Sequence, residues 1–381
     1  MSETFENKYH SFNRGELPLG CRFCVRGEKL VLFVTGICPR NCYFCPVSDQ
    51  KYQKDLIFAN ERPVLSPTDI IKEAEMMKAK GAGITGGDPL AKVERVVEYI
   101  LLLKKHFGKD FHLNLYTSLN LVTEETLKKL FAAGLDEIRF HFDLDSKLLW
   151  KKLELARKFF WKIGVEIPLL PAKEKETFAV LEFVKDKIDF LNLNELEIAD
   201  NSQSKLSDMG FCVKDNMSYA VAGSLELGQK IIEYAEKKQL ELPIHVCTAK
   251  LKDSVQLANR IKREAEGAKL PFDVVDEEGM LIRGALYLPE LAPGFEYRKR
   301  LGSMDLSKFV AVINPLFERV KKELRLNDSE LFLDEKKPRI LLSKYKIKQN
   351  RALFKKLKLL AAIVTEYPTN DQLEIEVEFF S

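Results

Sequence analysis

From residue 29 to about 198 the chain switches repeatedly between two hydrophobic periods. Short apolar runs at 30–35, 82–86, 112–117, 137–142, 165–170 and 190–197 read as buried strands. Between them lie stretches with helical spacing, at 67–80, 91–106 and 123–133. In the first, Ser66 precedes Pro67, and Ile70, Ile71, Ala74 and Met77 form an apolar stripe. The third opens on Thr123-Glu124-Glu125 and stops at Gly134. Strands alternating with helices predict a parallel sheet with right-handed crossovers, here of six βα units. The strand Ile138–Asp143 alternates sharply: Ile138, Phe140 and Phe142 share one face, Arg139, His141 and Asp143 the other. A polar face inside a barrel is costly unless it serves a ligand. The alternative is a salt-bridged outer face covered by helices.

Beyond residue 200 the pattern loosens. A helix is expected near 223–238, a short strand at 242–247 and a basic amphipathic helix from Lys252 to about Glu266. The remainder predicts a hairpin around 276–279, a helix near 305–325, and strands near 361–366 and 373–380. The expected organisation is an N-terminal extension (1–28), a core (29–200), a connecting segment (201–269) and a C-terminal α+β domain (270–381).

Hydrophobic residues make up 46% of the 381, enough for a sizeable core, and a net charge of +3 selects no partner. With no apolar leader in residues 1–20 and no long apolar span, the chain reads as cytoplasmic. Charge is uneven, however. Ten basic residues fall between Lys336 and Lys358 with no acid among them, and Tyr345 and Phe354 are interleaved. Such a run can hold a phosphate backbone and stack a base, which makes RNA a candidate partner. The acidic residues from Glu366 to Glu378 could instead cancel it.

Seven cysteines in tight groups point to metal or redox chemistry in a reducing compartment. Cys38, Cys42 and Cys45 stand in one loop directly after the first strand. Three thiolates can hold three irons of a [4Fe-4S] cube and leave the fourth open to a small ligand. A zinc site with a distant fourth ligand is the alternative. Ile84-Thr85-Gly86-Gly87-Asp88-Pro89 ends the second strand; its glycines let backbone approach a ligand, and its acid can pair with an ammonium group. Thr117 and Ser118 end the third strand and would face the same mouth. Glu166, Asn194, Glu195 and Glu197 are further pocket candidates on the fifth and sixth strands.

A second group is Cys21-Arg22-Phe23-Cys24, which reads as a zinc knuckle, an auxiliary iron–sulfur ligand pair or free thiols. His245 and Cys247 project to one side of a strand and could complete a Cys3His zinc site with it; Cys212 in place of His245 would give four thiolates. The first strand separates Cys24 from Cys38, and about eight residues of strand span roughly 26 Å. That places the second group away from the chemistry, unless the loop 24–29 folds back.

The spacing Cys38-x-x-x-Cys42-x-x-Cys45, with Phe44 before the last cysteine, resembles the signature of the radical S-adenosylmethionine (SAM) superfamily. With the Gly-Gly-Asp-Pro turn, the core is similar to the group related to pyruvate formate-lyase activating enzyme. The stretch from Gly20 to Cys45 resembles an archaeal-type branch of that group. The resemblance covers residues 29 to about 200 and implies a (β/α)6 partial TIM barrel. It implies a [4Fe-4S] cluster that reductively cleaves SAM to a 5'-deoxyadenosyl radical, and an electron donor of the ferredoxin or flavodoxin type. It implies that Gly86, Gly87 and Asp88 hold the SAM amine, with Asp where Glu is usual. It implies that Thr117 and Ser118 touch the SAM carboxylate or the ribose; if the polar face of the strand 138–143 points inward, Arg139 can neutralise the SAM carboxylate and His141 can bind the ribose or the substrate. A macromolecular substrate is expected, RNA or tRNA first, a protein as in glycyl-radical activation or peptide maturation second. A non-catalytic metal-bound scaffold is the contrasting reading.

Overall fold

The computed structural model describes residues 6–380. Backbone contacts divide the chain into one unit up to Arg260 and a second from Ile261 onward.

The first unit is built on a ten-stranded sheet. Its strands are β1 (Phe12–Arg14), β2 (Lys29–Phe33), β3 (Phe58–Ala59), β4 (Arg62–Pro63), β5 (Gly81–Thr85), β6 (His112–Ser118), β7 (Glu137–His141), β8 (Lys162–Leu169), β9 (Phe190–Glu195) and β10 (Ile244–Cys247). The spatial order is β1-β10-β9-β8-β7-β6-β5-β2-β3-β4. From β10 to β2 every neighbouring pair is parallel. The six expected strands are there, and β10 adds a seventh parallel one. Antiparallel β1 closes one edge and the β3–β4 hairpin extends the other. The sheet curves, because side chains of β2 and of β6 through β10 line one cavity. This is a partial TIM-type barrel.

Helices cover the outer face. They include α2 (Pro67–Met76), α3 (Val93–Phe107) and α4 (Glu124–Ala133), whereas α1 (Leu19–Val25) is placed differently. Ser66 and Asp69 form a capping box at the start of α2, and Thr123 caps α4 before Gly134 ends it in a left-handed conformation. Ile138, Phe140 and Phe142 are fully buried in the outer core. The polar face of β7 therefore points into the lumen.

The helix α1 is the exception. It does not lie on the outer face but enters the barrel, where Gly20 is decisive. A Cβ there would stand 2.8 Å from Arg139 Nη2 and 3.1 Å from Glu137 Oε1. The expected knuckle turn is therefore absent: Cys21 and Cys24 sit on a helix, one turn apart.

The second unit has an antiparallel sheet in the order β13-β14-β12-β15-β16, with β11 beside β12. These strands are β11 (Val274–Val275), β12 (Leu281–Tyr287), β13 (Leu331–Asp334), β14 (Arg339–Leu342), β15 (Leu360–Glu366) and β16 (Glu374–Phe380). Its helix Leu306–Glu323 packs Ile313 and Val320 into the core. Arg339 and Arg283, both buried, are neutralised by Glu366, with Asp334 and Asp273 completing the two pairings.

Candidate active site

The cysteine loop leaves β2 and is clamped by backbone before any ligand is considered. Gly36 N donates to Lys54 O at 2.8 Å, and its carbonyl accepts from Gln53 N at 3.0 Å. A Cβ on Gly36 would lie 1.7 Å from Lys51 O, so only glycine passes here. The Gly-Gly turn after β5 is bonded to the same loop: Gly87 N to Thr35 O at 2.8 Å and Asp88 N to Ile37 O at 2.9 Å. The glycines thus bring two backbones together, a role the sequence reading gave to ligand approach alone.

Cys38, Cys42 and Cys45 line one cavity of about 210 Å³ with Gly86, Gly87, Thr117, Ser118 and His141. Burial pushes all three thiols up, Cys38 to about 11. A thiol in this position ionises when a metal takes the place of its proton. Three such donors in one concave loop, with Gly86 and Gly87 on the same cavity wall, fit a [4Fe-4S] cluster, which Cys38, Cys42 and Cys45 would hold through three of its irons. Phe44 packs on His141 with ring centroids 5.9 Å apart. Burial is the leading cause that lowers His141 to about 4, with Arg40 adding to it, so the imidazole is neutral at pH 7.

Asp88 does not face this cavity. Its carboxylate is 1% exposed and takes four hydrogen bonds. Oδ1 accepts from Thr117 Oγ1 at 2.7 Å and Leu90 N at 3.1 Å; Oδ2 accepts from Ser118 Oγ at 2.6 Å and Ser118 N at 3.1 Å. All four bonds tie the carboxylate to Leu90, Thr117 and Ser118, so it turns toward these groups and away from the cavity where contact with an ammonium group was expected. Asp88→Asn turns one acceptor into a donor against these hydroxyls. It should weaken SAM binding about tenfold, near 1.4 kcal/mol, by calorimetry on the cluster-loaded protein. Unchanged affinity would remove Asp88 from the site.

A second cavity, of about 380 Å³, lies deeper and shares Phe44, Pro46, Tyr116 and His141 with the first. Alternate residues of successive strands form its wall: Arg139 and His141, Glu166 and Pro168, Asn192 and Asn194, His245 and Cys247. Arg139, 2% exposed, was expected near a SAM carboxylate. Its guanidinium instead contacts Glu137 at 2.6 Å, Glu166 at 2.8 Å and Cys21 Sγ at 3.4 Å. Its mid-strand position keeps it below the cysteine loop. Burial opposes ionisation of Glu166, but Arg139 and the amides of Asn194 and Asn192 outweigh it and bring that carboxyl to about 2. Glu195 accepts from Ala249 N at 2.7 Å and pairs with Lys214 at 3.1 Å; Glu197 pairs with Lys252.

Cys21, Cys24, His245 and Cys247 all line this inner cavity. The loop 24–29 does fold back, so the group is not remote from the chemistry. Neither does it make the expected Cys3His zinc site. Among the described residues no three His, Cys, Asp or Glu side chains are arranged around a single ion. His245 uses both ring nitrogens, Nε2 with Ser11 Oγ at 3.2 Å and Nδ1 with Asn192 Oδ1 at 3.3 Å. Cys212 is exposed, with Gly210 O as its neighbour at 3.8 Å, and does not line the cavity. Lys29, Tyr116, Asn192 and Lys252 line it and were not anticipated. For Asn192 a signal existed: it stands two residues before Asn194 on an apolar strand.

A partial barrel with a three-cysteine loop and a glycine turn at the carboxyl ends of its strands defines an iron–sulfur enzyme with an open cluster position. Residues 32–180 match the family model of the radical SAM superfamily. A protein of Methanocaldococcus jannaschii, provisionally named a glycyl-radical enzyme activating enzyme, is 36% identical over 97% of this chain and 94% of its own. The chain therefore belongs to the radical SAM superfamily, and its cofactors are a [4Fe-4S] cluster and SAM. As a radical SAM enzyme it needs an electron donor, and the scaffold reading is set aside. Among solved structures, HydG, a maturase of the [FeFe]-hydrogenase, aligns at 11% identity over 68% of this chain and 69% of its own, TM-score 0.40. Methylornithine synthase aligns at 15% over 52% and 64%, TM-score 0.36. These likenesses are too distant to bear on substrate. Among the described residues no helix is long and apolar enough to cross a membrane.

Proposed function

We propose that this radical SAM enzyme acts on RNA, bound through the basic run of its second unit. The carrying observation is how that run divides. Its first three cations are consumed internally: Lys336 donates to Asn370, Lys337 pairs with Glu374, and Arg339 with Glu366 and Asp334. The acidic end of the chain therefore neutralises Lys337 and Arg339, while Lys336 is held by a neutral amide. The remaining seven, from Lys344 to Lys358, lie on the helices Lys344–Gln349 and Arg351–Lys356 and just beyond. None of these seven forms an ion pair among the described residues. Tyr345 is 62% exposed, with Lys344 Nζ 5.6 Å from its ring centre, a surface on which a base can stack.

A cluster held by Cys38, Cys42 and Cys45 would supply the electron for reductive cleavage of SAM, the radical chemistry of the family. Thr117 and Ser118, held by Asp88, would orient SAM, and His141 would offer a neutral imidazole to the ribose or the substrate. Bulk tRNA binding should fall steeply with salt. The triple reversal of Lys344, Lys346 and Lys348 to Glu should flatten the log–log slope by about 2 to 3. A salt-independent wild type would remove the RNA reading. The second reading is activation of a protein partner by glycyl-radical formation, favoured by the name of the M. jannaschii relative.

A further inference from the structure

The deeper cavity holds more sulfur than SAM chemistry uses. Cys21, Cys24 and Cys247 are free cysteines, and all three border it. Cys21 and Cys24 lie three residues apart on α1, with Cα atoms about 5 Å apart by helix geometry. That falls inside the roughly 4.4–6.8 Å a disulfide spans. Cys21 Sγ is addressed by two buried donors, Arg139 Nη1 at 3.4 Å and Asn192 Nδ2 at 3.2 Å. Burial would raise this thiol, but Arg139 foremost, with His245 and Lys29, outweighs burial and brings it to about 7. Cys24, on the same helix, is raised by burial and stays protonated. A Cys21 that Arg139 favours as thiolate therefore stands one turn from a Cys24 that burial favours as thiol, in a cavity that shares four lining residues with the cysteine-loop cavity.

We propose that Cys21 and Cys24 form a hydrogen-donating couple, in which Cys24 quenches the radical left on the substrate and Cys21 closes a disulfide with it. The proposal rests on the radical chemistry of the family. An S–H bond is weaker than nearly all C–H bonds, so transfer from thiol to a carbon radical runs downhill. The C–H bond forms, the Cys24 S–H bond breaks, and a thiyl radical remains on Cys24. The Cys21 thiolate adds to it, giving a disulfide radical anion. That anion passes one electron to an oxidised carrier of the ferredoxin or flavodoxin class and becomes a neutral disulfide. A dithiol reductant then returns two electrons and two protons by exchange, of which Cys21 releases one proton. Arg139 and Asn192 are positioning residues that hold the capturing thiolate. Cys247 has no thiolate partner on its own strand and serves as the control.

Two measurements test this. First, cluster-free protein is oxidised with diamide and digested with trypsin. Cleavage after Arg22 separates the two cysteines, so their disulfide appears as a linked peptide pair. That pair is expected in wild type and absent in Cys24→Ser; its absence in wild type overturns the couple. In the same cluster-free protein the pH profile of Cys21 alkylation should show an apparent pKa near 7, shifted upward in Asn192→Ala; an unshifted profile removes Asn192 from the couple. Second, cluster-loaded protein is reduced in D2O with SAM and no added thiol or substrate. The 5'-deoxyadenosine should carry one deuterium from Cys24, retained in Cys247→Ala and lost in Cys24→Ser. Undeuterated 5'-deoxyadenosine, or loss that follows Cys247 instead, overturns the donor role while leaving the radical reading intact. No 5'-deoxyadenosine at all, with a well-formed cluster, would sink the radical reading itself.

Discussion

Replacing Cys42 with alanine should abolish 5'-deoxyadenosine formation and lower the iron content of anaerobically reconstituted protein from about four per chain toward none. The residue is half-buried in a loop whose path is fixed by Gly36 and by the bonds from Gly87 and Asp88. The fold does not depend on its sulfur, so the variant should remain folded by circular dichroism. With two thiolates left, no three-iron attachment survives, and the loss is a loss of cofactor rather than of a contact. Iron and sulfide retained at the wild-type level would show that the cluster is held elsewhere. The lumenal cysteines would then be the first place to look.

Arg139→Met should cost about 3–5 kcal/mol of unfolding free energy, because it leaves buried carboxylates without their counter-ion. Glu137 is 1% exposed and contacts the guanidinium at 2.6 Å; Glu166 contacts it at 2.8 Å. The pH dependence has a definite sign. Glu166 is lowered from 4.5 to about 2, so its contribution is fully present above the unfolded value and fades as pH falls toward the folded one. The gap between wild type and variant should therefore widen as pH rises from about 2 to 4.5 in urea titrations of the full chain. A gap that stays below about 1 kcal/mol at pH 7 would mean that the lumen is wet enough to solvate both acids.

Much of the first unit was legible because its signals are local. The βα alternation, the cap at Ser66, the stop at Gly134 and the polar alternation of Arg139 and His141 each need only a few neighbouring residues. The three-cysteine loop was legible for the same reason: its ligands lie within eight residues of one another. The orientation of Asp88 was not legible, because motif spacing cannot say which way a carboxylate turns. Once Thr117 and Ser118 arrive from the next strand, four donors claim it. The seventh strand's partners were hidden as well, since β10 pairs with β9 across some fifty residues and with β1 from the far end of the unit.

The sequence by itself determined the radical SAM core, the ligand loop and the basic run, all encoded in short-range pattern. Only the tertiary structure decided where Cys21 and Cys24 go. Helix α1 enters the barrel because Gly20 lets its backbone approach a buried arginine three strands away. Burial and long-range pairing then set the charge on each sulfur, and neither is written in spacing. The division of the basic run was likewise decided in three dimensions: Lys337 meets Glu374 and Arg339 meets Glu366, while the cations from Lys344 to Lys358 meet no acid among the described residues.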